Sequence, residues 1–292
     1  MVLELAQIEE QSVKLIKDSK ISPKNILNDL TGKEWIQETR SFSYQKGLGL
    51  NHKDTKFELQ HPAPFSFQDV GRLIRFFTKE KDLVLDPFCG VASTLKACAI
   101  LKRKGLGIEL SEKWANLGIN RLKEEVSNSS EQKILIGDAR NILKELKSES
   151  VSYIVTSPPY WNILMKKTIG KKRKARAKAG FQTKYSESTE DLGNISNYTE
   201  FLSELQSCFK ECHRILKEKR YATVIVSDFR HRSEFVPFHS HVADILSKVG
   251  FTLQGITVLI QNSKKLYPYG YPFAYVPNIH HQYAIIVRKI GN

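Results

Sequence analysis

The sequence lacks several features that would place it in a specialised class of protein. None of its apolar runs approaches the roughly 18 residues that a membrane-spanning helix needs. Its N-terminus, MVLELAQIEEQSVKLIKDSK, has acids early and lacks the basic-then-apolar layout of a signal peptide. Its four cysteines, Cys89, Cys98, Cys208 and Cys212, form no CxxC pair. We therefore expect a reducing, cytoplasmic location, with neither a disulfide framework nor a bound metal.

Acidic residues are scarce relative to basic ones. The chain has 45 Lys and Arg against 31 Asp and Glu, a formal net charge of +14. An excess of that size favours a polyanionic partner, usually nucleic acid, over a merely soluble basic protein. The imbalance is strongest between residues 164 and 184, which hold nine Lys or Arg and no acid. Such a self-repelling run is typical of a loop, either a solvated insert or an arm that contacts phosphates.

Short apolar strands alternate with amphipathic helices from about residue 66 onward. Strands are predicted at 82–86, 105–110, 133–139, 151–156, 221–228, 251–261 and 281–289, and helices at 67–78, 93–104, 112–126, 139–146, 198–217 and 238–250. The alternation indicates parallel βαβ units, and the last two strands, with no helix between them, should pair antiparallel. We expect an α/β fold with a mostly parallel seven-stranded sheet whose last strand is antiparallel.

The predicted organisation has two parts. Residues 1–60 are interpreted as a helical and irregular extension, with a helix start at Ser22 and Pro23. Residues 61–292 are interpreted as the main domain, interrupted by a basic insert at 162–196.

Residues at the strand ends are candidate site residues, because ligands of open parallel sheets bind beyond the carboxyl ends of the strands. The first strand of the main domain runs into DPFCG at 86–90, a glycine-bearing turn before a helix that can bring backbone N–H groups to a ligand. The next two strands end near Glu109 and Asp138, and the fourth ends in TSPPY at 156–160. One such acid is more often a helix N-cap, but four successive strand ends of this kind indicate a site.

Together these motifs resemble those of the S-adenosylmethionine-dependent amino-methyltransferases of DNA, which modify cytosine N4 or adenine N6. DPFCG resembles that family's cofactor loop, GIEL at 107–110 its ribose-binding acid, GDA at 137–139 its adenine-contacting segment, TSPPY its catalytic motif, and HPAPF at 61–65 the segment that closes over the methionine part. The resemblance covers about residues 57–290. It implies a Rossmann-like methyltransferase fold, S-adenosyl-L-methionine as cofactor and DNA as partner.

The resemblance also implies a role for each residue that matches a family motif. Cofactor binding is assigned to Pro64, Phe65, Asp86, Phe88, Cys89, Gly90, Ser93, Thr94, Glu109, Leu110, Asp138 and Ala139. The catalytic residues are Ser157, Pro158, Pro159 and Tyr160. The Ser157 hydroxyl and the Pro158 carbonyl would hold the N–H groups of the target amine, while Tyr160 would stack on the flipped base. DNA contacts are predicted in the basic insert for Lys171, Lys172, Arg173, Lys174, Arg176 and Lys178.

One departure from the family pattern concerns the cofactor loop. Val91-Ala92-Ser93-Thr94 stands where the family usually has a second glycine and two threonines. We therefore expect the Ala92 methyl to crowd the cofactor and weaken its binding.

The target of the reaction is narrowed but not fixed by these motifs. A serine before the two prolines favours cytosine N4 within this family. Adenine N6, an RNA amino group and a non-catalytic nucleic-acid-binding subunit are the alternatives. The sequence leaves open the recognition site, the oligomeric state, and whether a cognate restriction endonuclease or a partner subunit acts with the chain.

Four further features have both a structural and a functional interpretation. Cys208 and Cys212, at helical spacing, are interpreted as buried residues rather than metal ligands. RHRSEF at 230–235 is either an exposed loop or a contact for DNA or the base. YPYGYPFAYVPNIHH at 267–281 is either a packed turn or a DNA contact. Trp114 is expected to pack its helix or to border the cofactor's adenine.

Overall fold

A computed structural model describes residues 20–45, 57, 66–163, 188, 190–262 and 264–291. Pro64, Phe65 and the six basic residues named above as DNA contacts lie outside the described residues. Their assigned roles therefore stay predictions.

Strands and helices alternate along the chain as the sequence predicts. The strands are β1 Phe42–Tyr44, β2 Leu83–Asp86, β3 Lys104–Glu109, β4 Gln132–Ile136, β5 Val151–Thr156, β6 Leu216–Val226, β7 Phe229–His231, β8 Glu234–Val236, β9 Thr252–Ile260 and β10 His281–Arg288. The α-helices are α1 Gly32–Glu38, α2 Phe67–Phe77, α3 Ser93–Ile100, α4 Glu112–Glu125, α5 Ala139–Glu145, α6 Tyr198–Ile215 and α7 Phe238–Lys248. Within this described part of the chain, no helix is both long and apolar enough to cross a membrane.

Eight of these strands form one sheet in the order β1-β9-β10-β6-β5-β2-β3-β4. Every neighbouring pair is parallel except the two that β10 makes, with β6 and with β9. The predicted α/β class and the antiparallel last strand are confirmed. The predicted count of seven strands is wrong by one, because β1 pairs with β9 from Phe42↔Val258 to Tyr44↔Ile260. Three residues are too few to show a strand period in the sequence.

The remaining two strands, β7 and β8, form a separate antiparallel hairpin. This hairpin contains most of the RHRSEF stretch, and the Arg230 guanidinium lies 5.7 Å from the centre of the Phe235 ring. Residues 232–235 are exposed, as the loop interpretation expects, but residues 230–235 form an ordered hairpin.

The predicted helix start at Ser22 and Pro23 is wrong. Residues there form turns, in which Asn25 Oδ1 accepts two backbone N–H groups at 3.1 Å and Asn28 Oδ1 accepts a third at 3.1 Å. Such local bonds offer the backbone an alternative to the helix. The first described helix, α1, begins instead after Thr31, which forms a reciprocal capping box with the glutamate three residues later.

Helices cover both faces of the sheet, so its central strands are buried on both sides. Tyr153 and Val155 of β5 pack in the hydrophobic cluster that includes α2 and α3, whereas Ile154 packs in the cluster that includes α5, α6 and α7. All six residues of β5 are buried. This two-sided burial explains why the strand is a continuous apolar run rather than an alternating one.

The strand order reverses between β2 and β5, and this reversal positions the candidate site. The chain moves outward from β2 through β3 to β4, then returns to β5 on the other side of β2. The carboxyl ends that meet there are Asp86 and Thr156, and the Thr156 hydroxyl donates to Asp86 Oδ1 at 2.6 Å. In open parallel sheets, ligands bind at such a switch point.

Candidate cofactor cleft and catalytic motif

A cleft opens at this switch point and encloses about 920 Å³, part of it open to solvent. The described lining residues are Pro87, Phe88, Cys89, Gly90, Val91, Ser93, Ile108, Glu109, Leu110, Trp114, Gly137, Asp138, Ala139, Ser157, Pro158, Pro159, Tyr160, Glu190, Asp191 and Leu192. All four predicted catalytic residues and eight of the twelve predicted cofactor residues are among them.

Asp86 and Thr94 do not line the cleft. They lie on the buried side of the loop between β2 and α3 and fix it by hydrogen bonds. The buried Asp86 carboxylate accepts from the Thr156 hydroxyl at 2.6 Å and from the Phe88 N–H at 3.1 Å, and its second oxygen accepts from the Thr94 hydroxyl at 2.5 Å. Burial raises the pKa of Asp86 to about 6. The structure therefore gives Asp86 and Thr94 a positioning role where the sequence predicts direct contact.

Glu109 ends β3 and faces the cleft. One carboxylate oxygen accepts from the Gly90 N–H at 2.9 Å, and the other accepts from the Ser111 N–H at 2.8 Å. Burial is the main cause that raises the pKa of Glu109 to about 7, and the neighbouring carboxylates Asp191 and Asp86 add to it. Each oxygen keeps a second lone pair, so Glu109 can still accept hydrogen bonds from a ligand.

The loop between β2 and α3 contains two residues in the left-handed region, Gly90 at φ +50° and Ala92 at φ +63°. This conformation suits glycine but costs an alanine about 1 kcal/mol. Ala92 is fully buried and does not line the cleft. A Cβ placed on Gly118 of α4 would lie 3.1 Å from the Ala92 Cβ, so the methyl faces α4. The expected crowding of a cofactor by Ala92 is therefore wrong; the alanine strains the backbone instead.

Asp138 follows β4 and is held by an arginine that sequence analysis did not single out. Its Oδ1 accepts from the Arg140 backbone N–H at 2.9 Å, and the Arg140 guanidinium lies 2.7 Å from Oδ2. Arg140 also donates to Glu204 on α6 at 2.8 Å. The hydrogen bond with Asp138 is the main cause that raises the pKa of Arg140. Asp138 thus combines the ordinary N-cap role with a place on the cleft wall.

The cleft wall is acidic although the chain is basic. Glu109, Asp138, Glu190 and Asp191 line it, and no lining residue in the described part of the chain is Lys or Arg. Asp191 is 5% exposed and caps the short helix Leu192–Asn194, accepting from the Gly193 N–H at 2.8 Å. Because Arg140 pairs with Asp138 and the raised pKa leaves Glu109 only partly ionised near pH 7, the wall is moderately acidic, which favours a cationic ligand over a pyrophosphate. Sequence analysis missed Glu190 and Asp191, because neither a strand end nor a glycine turn marks them.

The TSPPY motif ends β5 in a turn that is anchored from its far side. Trp161, directly after the motif, is 7% exposed and has φ +47°, in the left-handed region. Its ring packs 4.9 Å from Tyr198 and 4.5 Å from His231. A strained residue of this kind costs of order 1–3 kcal/mol and persists only where packing fixes it. The buried Trp161 therefore holds the turn while residues 157–160 face the cleft.

Tyr160 lines the cleft with its hydroxyl surrounded by polar groups. The Gln282 amide donates to it at 3.3 Å, and the Ser157 side chain and the Ser227 backbone also bond to it. Its ring centre lies 5.8 Å from that of Phe238 on α7. Burial raises the pKa of Tyr160, so the hydroxyl stays protonated. These contacts fix the plane of the ring.

A second polar cluster lies beside Tyr160 and was not predicted. Asp228, 5% exposed after β6, accepts from the His239 backbone N–H at 3.1 Å and bonds His239 Nδ1 at 2.7 Å. The His239 ring stacks on Tyr283 with centres 4.0 Å apart, and the Tyr283 hydroxyl bonds His281 Nε2 at 2.8 Å. These residues come from β6, α7 and β10, so no local sequence pattern brings them together.

Trp114, Cys208 and Cys212 are buried, as the sequence predicts. Trp114 is 2% exposed on α4 and also borders the cleft. Cys208 and Cys212 on α6 lie in the hydrophobic core, where burial raises the pKa of each thiol.

The sheet order and the glycine turn at its switch point define a Rossmann-like α/β fold. A family model described as "DNA methylase", that of the N6/N4 methyltransferases, matches residues 6–120 and 151–289. The chain therefore belongs to this DNA methylase family, and the resemblance drawn from its motifs is confirmed.

Individual relatives match over shorter stretches. The orphan methyltransferase M.BamHII of Bacillus amyloliquefaciens is 35% identical over 71 residues, 24% of this chain and 27% of that protein. The type II methyltransferase M.HindIII of Haemophilus influenzae is 43% identical over 68 residues, 23% of this chain and 22% of that protein. A tRNA (guanine(10)-N2)-dimethyltransferase of Methanocaldococcus jannaschii is 35% identical over 85 residues, 28% of this chain and 24% of that protein. The match thus spans about a quarter of the length of these relatives.

Two solved structures, both from Thermus thermophilus, match parts of the chain. TrmN has a TM-score of 0.49 at 15% identity, covering 82% of this chain and 52% of that one. TTHA0409, complexed with S-adenosyl-L-methionine, has a TM-score of 0.37 at 24% identity, and the match covers 53% of this chain and 54% of that one.

Proposed function

We propose that the chain transfers a methyl group from S-adenosyl-L-methionine to the exocyclic amine of a base in DNA, with cytosine N4 as the first candidate. The observation that carries the proposal is an acidic cleft at the switch point with the TSPPY turn on its rim. Membership of the DNA methylase family supports the reaction class.

The cleft residues fit this cofactor. Glu109, with free lone pairs on both oxygens, would accept the ribose hydroxyls. Trp114, Leu110 and Ala139 offer apolar surface for the adenine, beside Asp138. The four acids of the lining suit a ligand that carries a sulfonium and an ammonium group. When bound, this cofactor supplies an electrophilic methyl group, so the protein has to position the amine rather than activate the donor.

The TSPPY residues would position that amine. Its nitrogen is a weak nucleophile because the lone pair is delocalised into the ring. The Ser157 hydroxyl and the Pro158 carbonyl would accept its two N–H groups and so direct the lone pair towards the cleft. Tyr160, its ring plane fixed by contacts to Gln282 and Phe238, would stack on the base. The target base must leave the duplex to reach this turn.

The choice of base is the finer part of the proposal. The serine before the prolines supports cytosine N4, with adenine N6 as the alternative. A second candidate function is methylation of an amino group in RNA, which the partial identity to a tRNA guanine-N2 dimethyltransferase favours. All of these reactions use the same turn and the same cofactor.

Nucleoside mass spectrometry tests the proposal. The purified chain is incubated with S-adenosylmethionine and mixed single- and double-stranded DNA, with total tRNA in parallel, and the digested polymers are analysed for methylated nucleosides. N4-methylcytosine is the expected product. N6-methyladenine would overturn the choice of base, and product only in RNA would overturn the DNA assignment.

A matched pair of variants ties any product to the TSPPY turn. Ser157→Ala removes one proposed acceptor and should lower kcat/KM by roughly 100-fold. Ser207→Ala, on α6 with its exposed hydroxyl donating to the Ser203 carbonyl at 3.2 Å, should leave it unchanged. Equal activity of the two variants would remove Ser157 from the mechanism.

A further inference from the structure

The segment between β9 and β10 exposes aromatic rings to an unusual degree. Every second residue from 267 to 275 is aromatic, in the order Tyr267, Tyr269, Tyr271, Phe273 and Tyr275. Tyr271 is 81% exposed, Phe273 94% and Tyr275 90%. We call residues 264–280 the aromatic loop. Its exposure rules out the packed-turn interpretation for these three rings, because a packed turn would bury them.

The aromatic loop is held in shape rather than left free. The Asn278 side chain closes its base, accepting from the Tyr267 N–H at 3.0 Å and donating to the Tyr267 carbonyl at 2.8 Å. At the tip, the N–H groups of Phe273 and Ala274 both donate to the Gly270 carbonyl at 2.7 Å. Gly270, at φ +75°, is required there, because a Cβ would lie 2.2 Å from the Ala274 carbonyl oxygen. Rings presented by an ordered loop lose little conformational freedom on binding.

The position of the loop places it beside the catalytic turn. β9 runs parallel to its neighbour β1, and β10 runs antiparallel to both β6 and β9, so the loop joins them at the carboxyl edge of the parallel strands. β10 returns from the loop at His281, and the next residue, Gln282, donates to the Tyr160 hydroxyl. Gln45 and Gln261 in turn donate to Gln282 Oε1, at 2.9 and 3.4 Å. The base of the loop therefore lies at the same sheet edge as Tyr160.

The charge around the loop selects the kind of partner. The loop contains Lys264 and Lys265 and no Asp or Glu, and the net charge of the chain is +14. Exposed rings among basic groups are the combination that binds single-stranded or unstacked nucleic acid, through base stacking and phosphate attraction. A second copy of this basic chain would lack that electrostatic match.

We propose that Tyr271, Phe273 and Tyr275 form a stacking surface for DNA bases that neighbour the flipped target base. The inference rests on the proposed function, since it assigns part of the same substrate to a second surface. Base stacking of this kind tolerates any sequence, because every base has a π-face. The loop would thus hold the opened strand without selecting the target sequence.

The test compares two variants in which the same loop keeps or loses its rings. Tyr271→Ala/Phe273→Ala/Tyr275→Ala removes all three, and Tyr271→Phe/Tyr275→Phe keeps the rings while removing the hydroxyls. Binding is measured by fluorescence anisotropy with a 30-nucleotide single strand and the matching duplex at one salt concentration. Each stacked base contributes roughly 5- to 150-fold to Kd. We expect the triple alanine variant to lose about 100-fold in single-strand affinity and the phenylalanine variant to bind like wild type.

A second readout reports stacking itself. 2-Aminopurine incorporated into the 30-nucleotide single strand should be quenched by wild type and by the phenylalanine variant, and should stay bright with the triple alanine variant. Affinity for S-adenosylhomocysteine, measured by calorimetry, should be equal in all three proteins and verifies that each is folded.

The outcomes separate this inference from the proposed function. Wild type that methylates DNA, together with a triple variant of unchanged DNA affinity, would overturn the loop inference alone. Loss of self-association without loss of DNA affinity would identify the loop as a protein interface and overturn the inference as well. A wild type that binds cofactor but neither binds nor methylates DNA would overturn both.

Discussion

Glu109→Gln is the substitution for which the structure allows the most detailed prediction. The Glu109 carboxylate carries a pKa raised to about 7, mainly by burial. A raised acid pKa means that ionisation is penalised in the folded state relative to the unfolded chain. The penalty is nearly absent below the ordinary pKa of 4.5 and grows as the pH rises to 7. Glutamine has the same shape but no proton to lose, so the variant escapes the penalty.

The magnitude follows from the two pKa values. One pKa unit corresponds to about 1.4 kcal/mol, so ionised Glu109 should destabilise the fold by about 3 kcal/mol at pH 8 and by about 1 kcal/mol at pH 5. Glutamine has one acceptor oxygen and must present its NH₂ to one of the two backbone donors, Gly90 or Ser111. That loss costs about 1–3 kcal/mol at any pH. The stability of the variant relative to wild type should therefore rise by about 2 kcal/mol between pH 5 and pH 8.

Urea unfolding of both proteins at pH 5, 6, 7 and 8 measures this difference. Other titrating groups, including Asp86, are present in both proteins and cancel. Parallel stability curves across the four pH values would refute the raised pKa of Glu109 and its assigned cause.

The same substitution tests the proposed ribose contact. If the ionised carboxylate is the acceptor, the Kd of wild type for S-adenosylhomocysteine should rise about ten-fold between pH 8 and pH 6, because the carboxylate takes up a proton below pH 7. Glu109→Gln should bind more weakly and with little dependence on pH. A wild-type Kd that is flat over this range would remove Glu109 from the ribose site, whatever the stability curves show.

Three further predictions concern the loop between β2 and α3, the TSPPY turn and the basic insert. Ala92→Gly should relieve about 1 kcal/mol of backbone strain and lose about as much stability from the buried methyl group. Urea unfolding should therefore detect little net change in stability, and calorimetry should detect an unaltered cofactor Kd. A clearly lower Kd in the variant would mean that the methyl group does crowd the cleft. Tyr160→Ala should lower kcat by roughly 100-fold or more through loss of base positioning, while the cofactor Kd changes little. An equal loss of turnover and of cofactor affinity would contradict the stacking role. Tyr160→Phe is the control, because it keeps the ring. Substituting Lys171, Lys172, Arg173 and Lys174 with Gln should weaken DNA binding. It should also reduce the slope of log Kd against log salt concentration, by an amount that corresponds to up to about four phosphate contacts. An unchanged slope would show that these four residues make no phosphate contacts.

The strands and the candidate site could be predicted because each carries a local signal. A buried parallel strand is a short run of apolar residues, and the residue after it lies at the edge where ligands bind. Glu109 and the TSPPY turn follow such runs directly, so their place on the cleft follows from the chain alone. β1 gives no such signal because it has three residues and depends on β9 for its hydrogen bonds.

The remaining features depend on contacts between distant parts of the chain. The direction of the Ala92 methyl depends on Gly118 of α4, which offers the space that the methyl fills. The bond between Gln282 and Tyr160 joins residues 122 positions apart. Asp228 and His239 meet only because α7 begins beside the end of β6. None of these pairings has a period or spacing that sequence analysis can detect.

The two signs of charge on this chain are separated in a way that bears on how a base reaches the TSPPY turn. The cleft beside the turn is lined by four acids, whereas the net charge of the chain is +14. A phosphodiester backbone that entered the cleft would meet these acidic groups and be repelled by those that are ionised. An uncharged base meets no such barrier. Under the proposed function, the wall would therefore admit the base and leave the backbone outside, at the aromatic loop, so the base has to leave its stack before methyl transfer.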